Sequence, residues 1–317
     1  LHLSLRRQRQ MCIRDSPTDL SVRTVLRWVC ACLESTGIDS PAAESRLLVA
    51  ALLHCAPAQL ILRSDTQLTT AQKDTLEGWV QRRMSREPVQ HILGEAPFLD
   101  FSVAVGEGVF IPRPETELLA DWAIKAAHQQ MSMSSAQPLH ILDLCAGSGV
   151  LAIAMARAFP TAYIWAVEYS DQAFMYLRRN VAALAPQISL IQGDATLPYS
   201  GWGIPENSID VVVCNPPYVP LDSTVDRETR EFDPTDAVFS GEGGLVLSRH
   251  ILHHLPVLLT PGAVLGMEHD DATGESLTQL AQRAGYSDCK DHLDLAGRPR
   301  FMTARWKSPL SSERISV

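Results

Sequence analysis

Nowhere in this 317-residue chain does an apolar run approach the ~20 residues that a bilayer-spanning helix needs. The seven cysteines, Cys12, Cys30, Cys32, Cys55, Cys145, Cys214 and Cys289, contain no Cys-x-x-Cys pair and are odd in number. That pattern excludes a zinc ribbon or a closed disulfide frame, so we expect no metal site and thiols kept reduced in the cytoplasm. Basic charge is scarce as well: the net charge is −9, and residues 98–317 hold 15 basic against 26 acidic residues, while residues 17–97 hold 8 against 9. A chain that grips nucleic acid by neutralising phosphates has the opposite sign, so no direct nucleic-acid binding is expected, and no membrane contact. The chain does not begin with methionine, and its first 16 residues carry Arg6, Arg7, Arg9 and Arg14. We expect residues 1–16 to be a disordered or non-native extension and residues 308–317 a frayed polar tail.

With 46% apolar and 20% charged residues, the rest has the composition of a globular protein long enough for two domains. Residues 17–97 read as helical. Val22, Val25, Leu26, Val29 and Leu33 follow the i, i+3, i+4, i+7 spacing up to Gly37; Ser40-Pro41 opens a second helix and Thr69 a third. No catalytic constellation falls here, so a partner-binding bundle and a purely structural cap both stand. Residues 98–138 read as a β-hairpin and a linker helix. Phe101, Val103 and Val105 alternate, Gly106 and Gly108 supply a turn, and Val109-Phe110-Ile111 returns. Pro112-Arg113-Pro114-Glu115-Thr116-Glu117 then makes a stiff approach to a helix, followed by a polar linker from Met131 to Pro138. Arg113, Glu115, Thr116 and Glu117 could line a site, although a capped helix start with acidic residues in its first turn explains Glu115 and Glu117 equally well.

Residues 139–307 alternate strand and helix, with predicted strands at 139–144, 163–167, 188–191, 209–214, 263–268, 289–295 and 300–306. That rhythm predicts an α/β, Rossmann-like fold with a mostly parallel sheet covered on both faces. In such sheets ligands bind at the carboxyl ends of the strands. The first strand ends in Asp143-Leu144-Cys145-Ala146-Gly147-Ser148-Gly149, a glycine turn into a helix that dinucleotide and S-adenosylmethionine proteins share. Glu168 ends the second strand, placed to accept two ribose hydroxyls, and Asp194-Ala195 follows the third, where an acid could take an adenine amine. The fourth, Ile209 to Cys214, stops at Asn215-Pro216-Pro217-Tyr218. Two prolines remove two backbone donors and leave stiff carbonyls free to accept. The Asn215 side chain and the Pro216 carbonyl make a two-acceptor fork suited to an NH2 group, which Tyr218 could cover. His250, His253 and His254 fall in a helical stretch.

On these motifs the chain resembles the HemK/PrmC family of protein-(glutamine-N5) methyltransferases from about residue 18 to 307. The resemblance is carried by Gln90 to Gly94, Phe110 to Glu117, Asp143 to Gly149, Asn215 to Pro220, Asp233-Pro234 and Gly241 to Leu245. It implies a class I methyltransferase domain at 139–307 and a helical domain that recognises a class-1 peptide chain release factor. It also implies methyl transfer from S-adenosylmethionine to the glutamine of the factor's Gly-Gly-Gln loop. Asp143, Cys145, Ala146, Gly147, Ser148, Gly149, Glu168, Asp194, Ala195 and Asn215 would then hold the cofactor. Asn215, Pro216 and Tyr218 would be catalytic, and these three with Pro217, Arg113 and Glu115 would hold the substrate. A monomer is expected. Two departures stand out: Cys145 where the family commonly has glycine, and Ala195 where a larger side chain often packs on adenine. The rival reading is an N6-adenine amino-methyltransferase of DNA or RNA, since the same fork reads an exocyclic amine; a silent docking module and an NAD-dependent dehydrogenase are weaker alternatives.

Overall fold

The computed structural model of the chain describes residues 17–133, 138–221 and 223–307. The expectations for residues 1–16 and 308–317, and for most of the linker before Pro138, lie outside those residues. The chain divides into two compact units: residues 17–95 with Asp226–Phe232, and Ala96–Val225 with residues 233–307.

The first unit is helical, with α1 (Val22–Ser35), α2 (Pro41–Leu52), a 3-10 turn (Pro57–Arg63), α3 (Thr70–Met84) and α4 (Val89–Leu93). Each α1 residue named by the periodicity except Leu26 is fully buried, and the Ser21 side chain accepts from Thr24 N–H to start the helix. Thr69 and Gln72 close a reciprocal capping box at the start of α3. One face of each helix meets in a core of Val25, Val29, Leu33, Leu48, Leu76 and Val80. The buried charge here is fully met. Arg83 of α3, 3% exposed, donates from Nε to Glu44 Oε2 at 2.5 Å and from Nη2 to Glu228 Oε1 at 2.8 Å. The second of these partners belongs to the late segment Asp226–Phe232, which is how that segment comes to pack in this unit. Arg86 approaches the same Glu228 oxygen at 3.4 Å.

The second unit begins with a hairpin, β1 (Glu95–Phe98) and β2 (Phe101–Ala104). Its turn is Leu99-Asp100, not the Gly106 to Gly108 segment expected from the sequence, and Val109 to Ile111 form no strand. A turn does form at the glycines, where Val109 N–H donates to the Gly106 carbonyl at 3.3 Å and Gly108 has φ of 88°, but it closes no hairpin, and both glycines are also closely packed. A Cβ on Gly106 would lie 2.3 Å from the Tyr176 hydroxyl oxygen, and one on Gly108 would lie 2.4 Å from Gln172 Oε1. After α5 (Pro114–Met133), longer than expected because it runs into the predicted linker, come β3 (His140–Leu144), α6 (Val150–Ala158), β4 (Tyr163–Glu168), α7 (Asp171–Leu184) and β5 (Ser189–Gln192). Then follow β6 (Ile209–Cys214), α8 (Arg227–Phe232, part of the first unit), α9 (Thr235–Val238), α10 (Val246–His254), β7 (Leu259–Glu268), α11 (Gly274–Arg283), β8 (Tyr286–Leu293) and β9 (Pro299–Trp306).

Among the described residues the main sheet has seven strands in the order β5-β4-β3-β6-β7-β9-β8. β3 to β7 are parallel, and β9 runs antiparallel to both β7 and β8. Both faces are covered, as the residue alternation shows. Ile141, Val211 and Val213 enter the core shared with α5, α6 and α7, whereas Leu142, Val212 and Cys214 enter the one shared with α10 and α11. This is the class I methyltransferase fold. Strand order reverses between β3 and β6, so the carboxyl ends of β4, β3 and β6 lie side by side at the switch point where open α/β sheets bind ligands.

Candidate active site

Register fixes the first relation in the site: Leu144 pairs with Cys214 and Cys214 with Met267, so the glycine turn, Asn215 and Glu268 leave three adjacent strands together. The turn itself is left-handed at three residues, with φ of 59° at Cys145, 55° at Gly147 and 89° at Gly149. Cys145 thus holds a conformation that disfavours any Cβ, and burial first, then the neighbouring Cys145, push the Cys214 thiol upward. Ala146 N–H donates to the Val167 carbonyl at 3.0 Å, tying the turn to β4. Ser148 is buried, and its carbonyl accepts from Asn180 of α7 at 2.9 Å.

Two carboxylates anchor this turn. Glu168 accepts from Gly147 N–H and from Ser170 N–H, each at 2.8 Å, and burial pushes its carboxyl upward against the pull of those donors. Asp143 is wholly buried and accepts from Ala152 N–H at 2.9 Å through Oδ2, while Oδ1 has no partner among the described residues. Burial first, and Glu168 in addition, push the Asp143 carboxyl up to about 8. One strand further out, Gly193 N–H donates to the Glu168 carbonyl at 3.0 Å, and Asp194 Oδ1 accepts from the Thr196 backbone N–H and hydroxyl at 2.8 and 2.7 Å. Ala195 is buried in the core, and the Trp202 indole lies against Gly193, stacked on Tyr199 with 4.1 Å between ring centroids.

At the end of β6, Asn215 Nδ2 donates to Thr116 Oγ1 at 3.3 Å. Among the described residues the Pro216 carbonyl accepts no backbone hydrogen bond. The next residues are pinned: Val219 N–H donates to the Val238 carbonyl, and Ser240 N–H to the Val219 carbonyl. A Cβ on Gly244, where φ is 72°, would sit 2.1 Å from the Tyr218 carbonyl oxygen, so the Gly241 to Leu245 segment packs directly against the Asn-Pro-Pro-Tyr stretch. Burial, then the nearby Glu268 carboxylate, push the Tyr218 phenol upward, so it stays neutral. Arg113 donates to Asp233 Oδ2 at 2.5 Å and stacks over Phe110, and Glu115 lies 3.6 Å from Arg298. The arginine and acid of the proline corner are therefore engaged with other side chains of this unit.

Comparison with known proteins places this arrangement. Residues 24–94 match the PrmC N-terminal domain family and residues 123–247 the methyltransferase small domain family. The release factor glutamine methyltransferase of Corynebacterium glutamicum is 40% identical over 287 residues, spanning 90% of this chain and 99% of the relative. This chain belongs to the release factor glutamine methyltransferase family. The Streptomyces coelicolor member is 39% identical over 280 residues, spanning 87% of this chain and 95% of that protein, and the Mycolicibacterium smegmatis member is 35% identical over 286 residues, spanning 89% and 97%.

S-adenosylmethionine is the cofactor of such a methyltransferase, and the residues here fit it. Asp143 Oδ1 is a buried acceptor lacking a partner, suited to an ammonium, and a Cβ built on Gly147 meets only open space. Two side chains at the site escaped the reading of the sequence, and Thr116, one of the corner residues expected to line a site, gave no sign of its contact with Asn215. Glu268 ends a predicted strand just as Glu168 does, so the same strand-end rule could have found it. Trp202 sits in an irregular loop and had no signal of its own.

Proposed function

We propose that this methyltransferase transfers a methyl group from S-adenosylmethionine to the side-chain amide N5 of a glutamine, that of the Gly-Gly-Gln loop in class-1 release factors. The observation that carries the chemistry is the fork at the end of β6. Asn215 spends its Nδ2 donor on Thr116, which leaves Oδ1 as the group to meet a substrate, and the Pro216 carbonyl beside it is uncommitted.

An amide nitrogen is a weak nucleophile because its lone pair is delocalised into the carbonyl. It attacks only when held in line with its hydrogens accepted. In our reading Asn215 Oδ1 and the Pro216 carbonyl take those two hydrogens, and the neutral Tyr218 ring covers the amide plane. As nitrogen gains positive charge, both acceptors strengthen without reorganising. The proton leaves after transfer, so no base of ordinary strength is needed first. When bound, the cofactor supplies an electrophilic sulfonium methyl. Asp143, the Cys145 to Gly149 turn, Glu168, Asp194 and Asn215 are the residues assigned to hold it, with Trp202 in place of a large residue at position 195.

The first unit is assigned to docking the release factor, a reading supported by its match to the PrmC N-terminal domain and by its lack of any catalytic constellation. We assign the protein to the cytoplasm as a monomer that does not itself bind nucleic acid; the acid excess of residues 98–317 supports the last point. Mass spectrometry of a release factor incubated with the protein and S-adenosylmethionine tests the reaction. One methyl on the loop glutamine is expected; transfer instead to adenine in a nucleic-acid control would replace this reading with its rival.

A further inference from the structure

At the ligand-binding end of the main sheet, three buried side-chain atoms have no hydrogen-bond partner among the described residues: Asp143 Oδ1, Glu268 Oε1 and Arg300 Nε. Asp143 is assigned to the cofactor, which leaves one acceptor and one donor. These two are neighbours in the sheet. Glu268 pairs with Phe301, and His269 N–H donates to the Arg300 carbonyl at 3.0 Å. Glu268 follows Met267, the partner of Cys214, so it ends β7 level with Asn215. Strands lie about 5 Å apart, which puts the backbone of Glu268 one spacing and that of Arg300 two spacings from Asn215. Arg300 is held from behind. Its Nη2 lies 3.4 Å from Asp294 Oδ2, and Asp294 organises the turn between β8 and β9 by accepting from Ala296 N–H at 2.8 Å and Arg298 N–H at 2.9 Å. Arg298 of that turn lies 3.6 Å from Glu115, the neighbour of the Thr116 that meets Asn215. Burial first and Glu268 next raise the Tyr218 phenol while Arg300 opposes them, so both charges act on the ring beside the fork.

We propose that Glu268 Oε1 and Arg300 Nε form a cradle for the main chain of the protein substrate, the carboxylate accepting from an N–H and the guanidinium donating to a carbonyl. This deepens the reading of the fork given above and rests on it. A buried donor and a buried acceptor without partners are costly unless a ligand supplies both counterparts, and a polypeptide main chain carries both. The reacting amide is already served, because Asn215 Oδ1 and the Pro216 carbonyl take its two hydrogens. A cation on the carbonyl of that same amide would draw the nitrogen lone pair further from the methyl group, so Arg300 belongs on a different carbonyl. From N5 to Cα an extended glutamine side chain spans about 5 Å. A glutamine held by the fork therefore brings its main chain within reach of the next two strand ends. A glycine-rich loop suits the cradle, since no side chain screens its backbone.

The test uses the full chain with S-adenosylmethionine and a class-1 release factor, comparing wild type, E268M, E268Q, R300M and R300K. E268M and R300M each remove one arm of the cradle and should raise KM for the factor about tenfold, with kcat within about threefold and Kd for S-adenosylmethionine within about twofold. E268Q keeps an acceptor oxygen and should recover most of the loss. R300K keeps the charge without the Nε donor and should not; full rescue by lysine would make Arg300 a steering charge and overturn its role as a donor. E268M should not lower the melting temperature, because it removes a buried oxygen that has no partner in the free protein. A fall in melting temperature with KM unchanged would make the pair structural and overturn the cradle, as would wild-type KM in both E268M and R300M. Either of those results leaves the reaction standing so long as wild type methylates the factor. A wild type that methylates adenine and leaves the factor unmodified removes the reading beneath the cradle, and the cradle with it.

Discussion

Buried charge is handled in opposite ways in the two units. In the helical unit the buried Arg83 guanidinium lies between two counter-charges, Glu44 and Glu228. At the strand ends of the second unit, Asp143 and Glu268 are equally buried, yet each leaves one carboxylate oxygen without a partner among the described residues. The first pattern holds elements in place. The second costs stability, and it stands where a charged cofactor and a polar substrate amide would have to be received.

The sharpest way to probe that contrast is to remove the acceptor itself. Asn215→Ala should reduce methyl transfer by about 100-fold or more while leaving cofactor affinity within a few-fold, read by single-turnover kinetics and by calorimetry. In the helical unit the effect should be on folding. Arg83→Ala leaves the partly buried Glu44 and Glu228 carboxylates without the guanidinium between them and should cost about 1–3 kcal/mol in urea unfolding, with the residual chemistry of the second unit intact. Asp143→Asn should do the reverse. The Asp143 carboxyl is raised by burial to about 8, so the folded state holds its proton more tightly than the unfolded state does. Ionisation therefore costs stability as pH rises from about 4 to about 8, with no cost below that window. The variant should match wild type in melting temperature near pH 4, exceed it above pH 8, and bind S-adenosylmethionine more weakly throughout. Smallest of all, Cys145→Gly removes a Cβ from a residue at φ 59° and should stabilise by about 1 kcal/mol, less whatever its contact with Cys214 contributes.

Much of this was legible from residue order because the signals are local. The run Ile209 to Cys214 closed by two prolines reads directly as a buried strand with a functional end, and Glu168 follows from its place after a predicted strand. The turn of the hairpin did not read correctly: Gly106 to Val109 do make a turn, but it follows β2 and joins no second strand, and the close passage of Gly106 and Gly108 beneath Tyr176 and Gln172 is something no local pattern encodes. Nor could spacing reveal that Asp226–Phe232 packs in the helical unit. That placement hangs on an ion pair between Glu228 and Arg83, 145 residues apart. Thr116 reads as one residue of a corner that could line a site, but its contact with Asn215, 99 residues on, has no local signal, since the two meet only once the sheet is formed.

The most direct single measurement is intact-peptide mass spectrometry, with fragmentation, of a class-1 release factor incubated with S-adenosylmethionine and either wild type or Asn215→Ala. One added methyl on the glutamine of the Gly-Gly-Gln loop with wild type, and none with the variant, is the expected result. An unmodified factor with both proteins, or equal methylation by both, would contradict the role given to the fork at the end of β6.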